Sequence, residues 1–211
     1  YRDQRKDIVP SASHPGARRW EKEVSARFKV SRRRVREAFI KLAEAGLGQV
    51  LPQRGTFVRK MSAQRVADGR FIREAVEIAV VRRAALEIGP AGLMALEHNL
   101  QLQRLAAERH DSQAFLALDD EFHRLIAEGI DCLLAWETVE NIKATMDRVR
   151  FLTLSEVSPP ESLIQQHEDI YHALKAHDVE GAESAMRRHL QEMILTITPI
   201  AERNSEWFEA P

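Results

Sequence analysis

Three histidines and one aspartate occupy positions that helical spacing turns towards the inside of a helical protein. Asp119 and His123 are four residues apart and share a helix face with apolar side chains. His167 and His189 each lie on a separate apolar stripe further along the chain. Three imidazole nitrogens and one carboxylate oxygen suit zinc or a similar first-row divalent ion. A buried polar network without a metal ion explains the same spacing, so the pattern by itself leaves both interpretations open.

The stretch VSRRRVREAF, residues 30–39, contains four arginines that could contact DNA. Ser31 suits an N-cap, and the apolar residues that follow at helical spacing predict a helix that begins at the arginines. A shorter helix is predicted just before it, over residues 20–28, with a two-residue turn between the two. This arrangement predicts a helix-turn-helix, whose second helix enters the major groove of DNA by its N-terminal end. The arginines at that end are Arg32, Arg33 and Arg36.

A small β-hairpin is predicted after these helices. Two short β-prone runs, residues 49–51 and 56–59, flank a turn that contains proline and glycine. The turn carries Arg54 and Gly55, and a glycine lets the backbone come close to a phosphate or to the floor of a groove. A helix-turn-helix followed by such a hairpin predicts a winged helix.

The charge of the chain is divided between its two parts. Residues 1–60 contain 16 Lys and Arg against 6 Asp and Glu, whereas the remaining residues contain 15 against 26. This asymmetry is typical of a module that binds a polyanion joined to an acidic module.

The single cysteine excludes an intrachain disulfide, and no apolar run is long enough for a membrane span, so we expect a cytoplasmic protein without a membrane partner.

Helical periodicity continues through the acidic part and predicts an antiparallel bundle of about six helices. The predicted helices span residues 68–87, 92–109, 111–129, 131–156, 161–176 and 178–198. We therefore expect a mainly α protein in three parts. These parts are a winged helix-turn-helix over residues 1–60, a linker over residues 61–67 and an all-helical domain over residues 68–211.

Two motifs in the basic part occur together: VSR-x-x-VREA at residues 30–38 and P-x-RG-x-x-V at residues 52–58. The combination resembles the DNA-binding domain of the GntR family of bacterial transcription regulators, over almost all of residues 8–58. Arg34 and Arg19 depart from the family's usual proline and apolar residue, and both changes add positive charge. The DNA contacts that the resemblance implies come from Lys22, Ser31, Arg32, Arg33, Arg36 and Gly55.

Three further motifs surround the inward histidines. They are Leu118-Asp119-x-x-Phe122-His123, His167-Glu-x-Ile170-x-x-Ala173-Leu174 and Asp178-x-x-x-Ala182-x-x-x-Met186-x-x-His189. Taken together, over roughly residues 70–195, they resemble the FCD effector-binding domain of the FadR subfamily of GntR regulators. The resemblance implies a divalent metal ion, with zinc expected and nickel or manganese as alternatives. The ligands that it implies are Asp119, His123, His167 and His189.

The resemblance also implies a small carboxylate effector that binds beside the metal. The subfamily commonly has an arginine followed four residues later by a glutamate in its first C-terminal helix, which fits Arg73 and Glu77. Arg73 is therefore a candidate for holding the carboxylate. A surface salt bridge between these two residues explains the same spacing equally well. Arg148 and Arg150 are further candidates for effector binding.

These patterns favour a ligand-responsive transcription regulator, a repressor, that binds operator DNA as a homodimer on two half-sites related by two-fold symmetry. Its helical domain is expected to serve metal binding, effector binding and dimerisation. One alternative is a helical-bundle metalloenzyme with a DNA-targeting module, but motifs for a nucleophile or a general base beside the histidines are missing. A structural DNA-binding protein is the other alternative, and it leaves the inward histidines unexplained. We therefore do not expect an enzyme.

Overall fold

The computed structural model describes residues 18–19, 21–44, 48–51, 55–58, 60–143, 146, 159–203 and 208–209. Over these residues the protein contains eight helices and one three-stranded sheet. The mainly α fold predicted from the sequence is confirmed. In chain order the elements are β1 (Arg18–Arg19), α1 (Glu21–Phe28), α2 (Arg32–Glu44), β2 (Gly48–Leu51), β3 (Gly55–Val58), α3 (Ala63–Glu87), α4 (Pro90–Glu108), α5 (Ser112–Glu128), α6 (Leu133–Ile142), α7 (Pro160–Lys175) and α8 (Val179–Arg203).

Helices α1 and α2 form the predicted helix-turn-helix. The turn between them contains Lys29, whose φ of 52° lies in the left-handed region. The hydroxyl of Ser25 donates to the carbonyl oxygen of Val30 at 2.7 Å and ties the turn to α1. The hydroxyl of Ser31 accepts from the backbone N–H of Arg34 at 3.3 Å, so Ser31 acts as the predicted N-cap of α2.

The predicted hairpin is present as the antiparallel pair β2 and β3. Its register runs from Gly48 opposite Val58 to Leu51 opposite Gly55. Strand β1 pairs with the other edge of β3, which gives the order β1-β3-β2. Sequence analysis missed β1 because a two-residue strand is too short for an alternating pattern to be recognised.

The helices α3 to α8 form the predicted bundle. Helix α3 packs against α8, α4 packs against α5 and α7, and α7 packs against α8. Fully buried apolar side chains fill the space between them, and each one contributes about 1.5–3 kcal/mol through its removal from water. The largest of these in the main core are Leu96, Phe122, Ile126, Ile170, Leu174 and Met186.

Two predicted boundaries in the bundle are wrong. Helix α3 begins at Ala63, where the hydroxyl of Ser62 accepts from the N–H of Arg65, so most of the segment 61–67 is helical. A polar composition suggested a linker there, but an N-cap serine followed by good helix formers starts a helix. Helix α6 ends at Ile142, whereas one helix was expected over residues 131–156. In the part of the chain that the structure describes, no helix has the length and apolar character needed to cross a membrane.

Candidate functional sites

The four residues predicted as metal ligands lie together inside the bundle. Asp119 and His123 come from α5, His167 from α7 and His189 from α8. One oxygen or nitrogen of each residue belongs to a set whose members all lie within 4.8 Å of one another. All four side chains are buried, with His189 the most exposed at 7%. The bundle therefore brings together the set that sequence spacing had placed on three separate helices.

The three imidazoles meet through the same ring nitrogen, Nε2. The Nε2 atoms of His123 and His189 are 3.1 Å apart, and those of His167 and His189 are 3.4 Å apart. An oxygen of Asp119, Oδ1, lies 3.7 Å from Nε2 of His167. The nitrogens and the carboxylate thus face a common point.

The opposite ring nitrogen of each histidine, Nδ1, faces an oxygen atom. Nδ1 of His123 lies 2.5 Å from Oε2 of Glu77 on α3. Nδ1 of His167 lies 2.9 Å from Oε1 of Gln103 on α4. Nδ1 of His189 lies 2.9 Å from Oε1 of Gln166 on α7. Such outward acceptors orient imidazoles and raise their basicity at metal sites.

Sequence analysis missed Gln103, and it named Glu77 only as a partner of Arg73. A signal for Gln103 was present. It lies four residues after Asn99 on a helix face that also carries the buried Leu96 and Leu100. Two amides on a buried apolar stripe predict a hydrogen-bonded network, because buried polar groups need partners.

Local packing fixes the orientation of the histidines. The spacing of four residues stacks Asp119 above His123 on one face of α5. The ring of Phe122, next to His123 in the chain, stacks on His167 with centroids 4.3 Å apart and an angle of 20°. Phe122 is fully buried, so one side of the cluster is closed by an apolar wall.

The electrostatics of the site favour a neutral His189 imidazole and an ionised Glu77 carboxylate. Burial by itself raises the pKa of the Glu77 carboxyl, but the adjacent Arg73 and His123 lower this pKa to about 2. Burial, followed by the neighbouring His167 and His123, lowers the pKa of His189 well below its ordinary value. A neutral imidazole keeps a lone pair on one nitrogen, which is the form that binds metals.

Arg73 is buried at the edge of the cluster, with 3% of its surface exposed. Its Nε donates to Oε1 of Glu77 at 2.5 Å. Arg73 and Glu77 therefore do form a salt bridge, but the salt bridge is buried. The alternative of a surface salt bridge is wrong. The contact with Glu77 is made through Nε of the guanidinium. Arg148 and Arg150 lie outside the described residues.

The donor set fits a divalent cation. Imidazole nitrogens bind zinc in tetrahedral geometry at roughly 2.0–2.1 Å, so two ligand nitrogens on one ion lie about 3.3 Å apart. A set within 4.8 Å can close on one ion with small side-chain shifts. Four potential ligand atoms that face one point, with an oxygen atom near the opposite nitrogen of each imidazole, match the donor set of such an ion.

The predicted DNA-contacting side chains of α2 lie on its exposed face. Arg32, Arg33 and Arg36 are exposed, whereas Val35 and Phe39 are buried on the other side of the helix. Arg33 is 90% exposed and pairs with Glu37, whose Oε1 lies 3.0 Å from its Nε. The amphipathic pattern of α2 therefore presents the arginines to solvent.

The remaining predicted DNA contacts lie on neighbouring elements. Lys22 is exposed on α1, and Ser31 is exposed at the start of α2. Gly55 is the first residue of β3 and pairs with Leu51. Arg54 lies outside the described residues.

Comparison with known proteins identifies the family of this chain. Residues 70–192 match the FCD domain, and residues 4–58 match the bacterial regulatory proteins of the gntR family. The HTH-type transcriptional repressor RspR of Escherichia coli (strain K12) is 52% identical over 208 residues, which cover 99% of this chain and 91% of that protein. The chain belongs to the GntR family. Its FCD domain is consistent with the FadR subfamily.

Solved structures agree with a GntR-family fold. The E. coli McbR/YncC structure has a TM-score of 0.81 at 22% identity, covering 94% of this chain and 95% of that one. A putative transcriptional regulator GntR from Rhodococcus sp. RHA1 has a TM-score of 0.73 at 26% identity, covering 93% and 94%. This GntR-family chain is a DNA-binding transcription regulator and not an enzyme, and the comparisons give no support to the metalloenzyme alternative.

Proposed function

We propose that this GntR-family regulator is a homodimeric repressor whose FCD domain binds a divalent metal ion and a small carboxylate that alters operator affinity. The observation that carries the proposal is the convergence of three Nε2 atoms and the Asp119 carboxylate in the buried interior of the bundle. The name of its relative RspR, a transcriptional repressor, supports repression as the direction of control.

The donor atoms of the cluster are of the types that bind a divalent cation. Oε1 atoms of Gln103 and Gln166 lie at hydrogen-bond distance from Nδ1 of His167 and His189, which favours a proton on these two Nδ1 atoms, and the Glu77 carboxylate lies 2.5 Å from Nδ1 of His123. With that tautomer the Nε2 atoms, which face one another near the Asp119 carboxylate, can offer lone pairs to a cation. A divalent cation at this point would be coordinated by imidazole nitrogens, and the carboxylate would offset part of its charge. This argument favours a metal site over the buried polar network that the sequence left open.

We propose Asp119, His123, His167 and His189 as the ligands of that ion. Three imidazole nitrogens and one carboxylate suit zinc, and nickel or manganese accept the same ligands. A divalent ion with an open coordination position supplies a Lewis-acid contact for one oxygen of a carboxylate effector.

Arg73 is the proposed second contact for the effector. It is a buried cation, and its Nε contacts Glu77, which also lies beside the proposed ligand His123. A guanidinium binds a carboxylate by two parallel hydrogen bonds, which gives directional specificity for organic acids. We retain Arg148 and Arg150 as further candidates from the sequence.

The DNA-binding half is proposed to lie within residues 1–60 and the effector half within residues 68–211, with residues 61–67, most of which belong to the start of α3, between them. The family matches at residues 4–58 and 70–192 support this division. We propose that Lys22, Ser31, Arg32, Arg33, Arg36, Arg54 and Gly55 contact operator DNA. Because a bacterial operator lies in the cytoplasm, we place the protein there.

Effector-dependent release of DNA tests the function directly. The metal-loaded full chain is first used to select a duplex from a random DNA library, and binding to that duplex is then followed by fluorescence anisotropy. A panel of small mono- and dicarboxylates should contain members that weaken DNA binding in the presence of zinc and have less effect after chelation. If no member changes either DNA affinity or the melting temperature of the metal-loaded protein, the carboxylate effector is wrong.

Substitutions in α2 should weaken DNA binding. Replacing Arg32 or Arg36 with alanine is expected to cost about 1–3 kcal/mol if the side chain reads a base, with relaxed preference at that position. A side chain that contacts only phosphate should weaken binding to all sequences alike and reduce the salt dependence. Arg109→Ala, which removes an exposed arginine at the end of α4, is the charge-matched control. Unchanged affinity for both α2 variants would contradict the proposed DNA contacts.

The regulator is expected to be a homodimer in solution. One winged helix reads one half-site, and two-fold symmetry supplies the second. Sedimentation velocity at micromolar concentration should give twice the mass of one 24.1 kDa chain. A monomer that retains full DNA affinity would overturn this expectation.

A further inference from the structure

A chain of buried amides connects the backbone of α5 to the imidazole of His167. Nδ2 of Asn99 donates to the carbonyl oxygen of Leu118 at 3.0 Å. Nε2 of Gln103 donates to Oδ1 of Asn99 at 2.6 Å, and Oε1 of Gln103 lies 2.9 Å from Nδ1 of His167. Asn99 is 3% exposed, and Gln103 and His167 are fully buried, so the hydrogen-bond partners must come from the protein.

The direction of every hydrogen bond in this series of amides follows from the bond between Asn99 and the Leu118 carbonyl. A backbone carbonyl oxygen can only accept, so the atom of Asn99 that faces Leu118 must be the amide nitrogen. The oxygen of Asn99 then faces Gln103, which must donate, and this turns the oxygen of Gln103 towards His167. Because that oxygen can only accept, the proton of a neutral His167 imidazole must lie on Nδ1.

We infer that Asn99 and Gln103 are positioning residues that set the tautomer of His167 so that its Nε2 lone pair is available before a metal ion arrives. The inference rests on the proposed metal function of the cluster. Nε2 of His167 is the nitrogen that lies 3.4 Å from Nε2 of His189 and 3.7 Å from Oδ1 of Asp119. Without the amides, the opposite tautomer competes, and the fraction of sites that can bind a metal falls.

The same amides bring α4 into the site, although α4 supplies none of the proposed ligands. The anchoring carbonyl belongs to Leu118, directly before Asp119 in α5, and the far end of the chain is His167 on α7. Helix α4 therefore holds two ligand-bearing helices at a fixed distance. Network members of this kind act as a unit, so we expect their substitutions to be non-additive.

The tautomer is measured on the metal-free full chain. Long-range proton–nitrogen NMR of histidine rings distinguishes a proton on Nδ1 from one on Nε2. We expect His167 to carry its proton on Nδ1 after the protein has been stripped with a chelator. A proton on Nε2 of His167 in the wild-type protein overturns the inference without the need for any variant.

Zinc affinity supplies the second measurement, by competition with a chromophoric chelator. Gln103→Met keeps the volume and removes the acceptor, and we expect a loss of about 10–100-fold, typical of losing a hydrogen-bond partner behind a metal ligand. Gln101→Met, at an exposed position on the same helix, is the matched control and should keep wild-type affinity. Wild-type affinity in Gln103→Met overturns the inference.

A rescue distinguishes tautomer control from mere packing. Asn99→Leu removes the anchor, lets the Gln103 amide rotate and should also lower zinc affinity. Adding Gln103→Glu to Asn99→Leu supplies an acceptor that cannot donate, and it should restore both the Nδ1 proton and part of the affinity. If the double variant regains neither the Nδ1 proton nor zinc affinity, the amides act only through packing, and the inference is contradicted. If wild-type protein binds no zinc, the proposed metal function fails, whereas the tautomer of His167 still decides whether the amides act as inferred.

Discussion

Replacing His189 with alanine is expected to abolish tight binding of a divalent metal ion. His189 lies at the centre of the cluster, because its Nε2 is within 3.4 Å of the same atom in both His123 and His167. Its loss should lower zinc affinity by more than the ~10–100-fold that follows removal of a hydrogen-bond partner behind a ligand. Elemental analysis of protein purified without chelator, followed by zinc titration, measures the change.

The control for this experiment is His172→Ala, which removes an exposed histidine from α7. It should keep the metal content of the wild type. DNA binding by His189→Ala in the absence of effector should persist, because the winged helix has buried side chains of its own in Val35, Ala38 and Phe39. Equal metal content in the wild type and His189→Ala would contradict the metal site and would mean that the four residues form a buried polar cluster.

Removing the carboxylate of Glu77 is expected to destabilise the bundle strongly. Glu77 holds two buried partners, Arg73 at 2.5 Å and His123 at 2.5 Å. Glu77→Ala leaves the Arg73 charge buried without compensation, which typically costs about 3–5 kcal/mol. The measurement is urea denaturation of chelator-treated protein, so that metal binding does not contribute to the difference.

A second pair on α3 provides a matched control. Arg83 and Glu87 have the same residue types and the same spacing of four, but their side chains are 49% and 47% exposed. Glu87→Ala should leave the urea midpoint close to that of the wild type, because exposed pairs contribute little. If Glu77→Ala shifts the midpoint no further than Glu87→Ala does, burial of the Arg73–Glu77 pair has no energetic consequence.

Replacing both members of the buried pair completes the test. Arg73→Met with Glu77→Leu removes the two charges together and should recover much of the stability lost in Glu77→Ala. The same variant loses the acceptor that faces Nδ1 of His123, so its zinc affinity should remain low. We therefore expect this variant to regain stability without regaining zinc affinity.

The sequence alone determined which candidate functional side chains share a helix face. The arginines at the start of α2 fall on the solvent face because Val35 and Phe39, at helical spacing, occupy the buried one. Asp119 and His123 share a face of α5 because they are four residues apart. Periodicity and capping are local properties of neighbouring residues, so the sequence displays them directly.

The ends of the helices were harder to predict from the sequence than their buried and exposed faces. The polar residues after Met61 suggested a linker, yet α3 begins at Ala63, and Val66 within that segment is fully buried. Helix α6 ends at Ile142, and the following Lys143 is buried with its Nζ 2.6 Å from Oδ1 of Asp120 on α5. A charged residue that becomes buried through a partner on another helix cannot be recognised from its own neighbours in the chain.

Only the tertiary structure decided which nitrogen of each histidine faces the cluster. That choice depends on Glu77, Gln103 and Gln166, which lie on helices other than those of the histidines they contact. His167 and Gln103 are 64 positions apart, and the packing of α4 against α7 brings them together. Spacing within one helix fixes the direction of a side chain, but the partner it meets is fixed by the packing of distant helices.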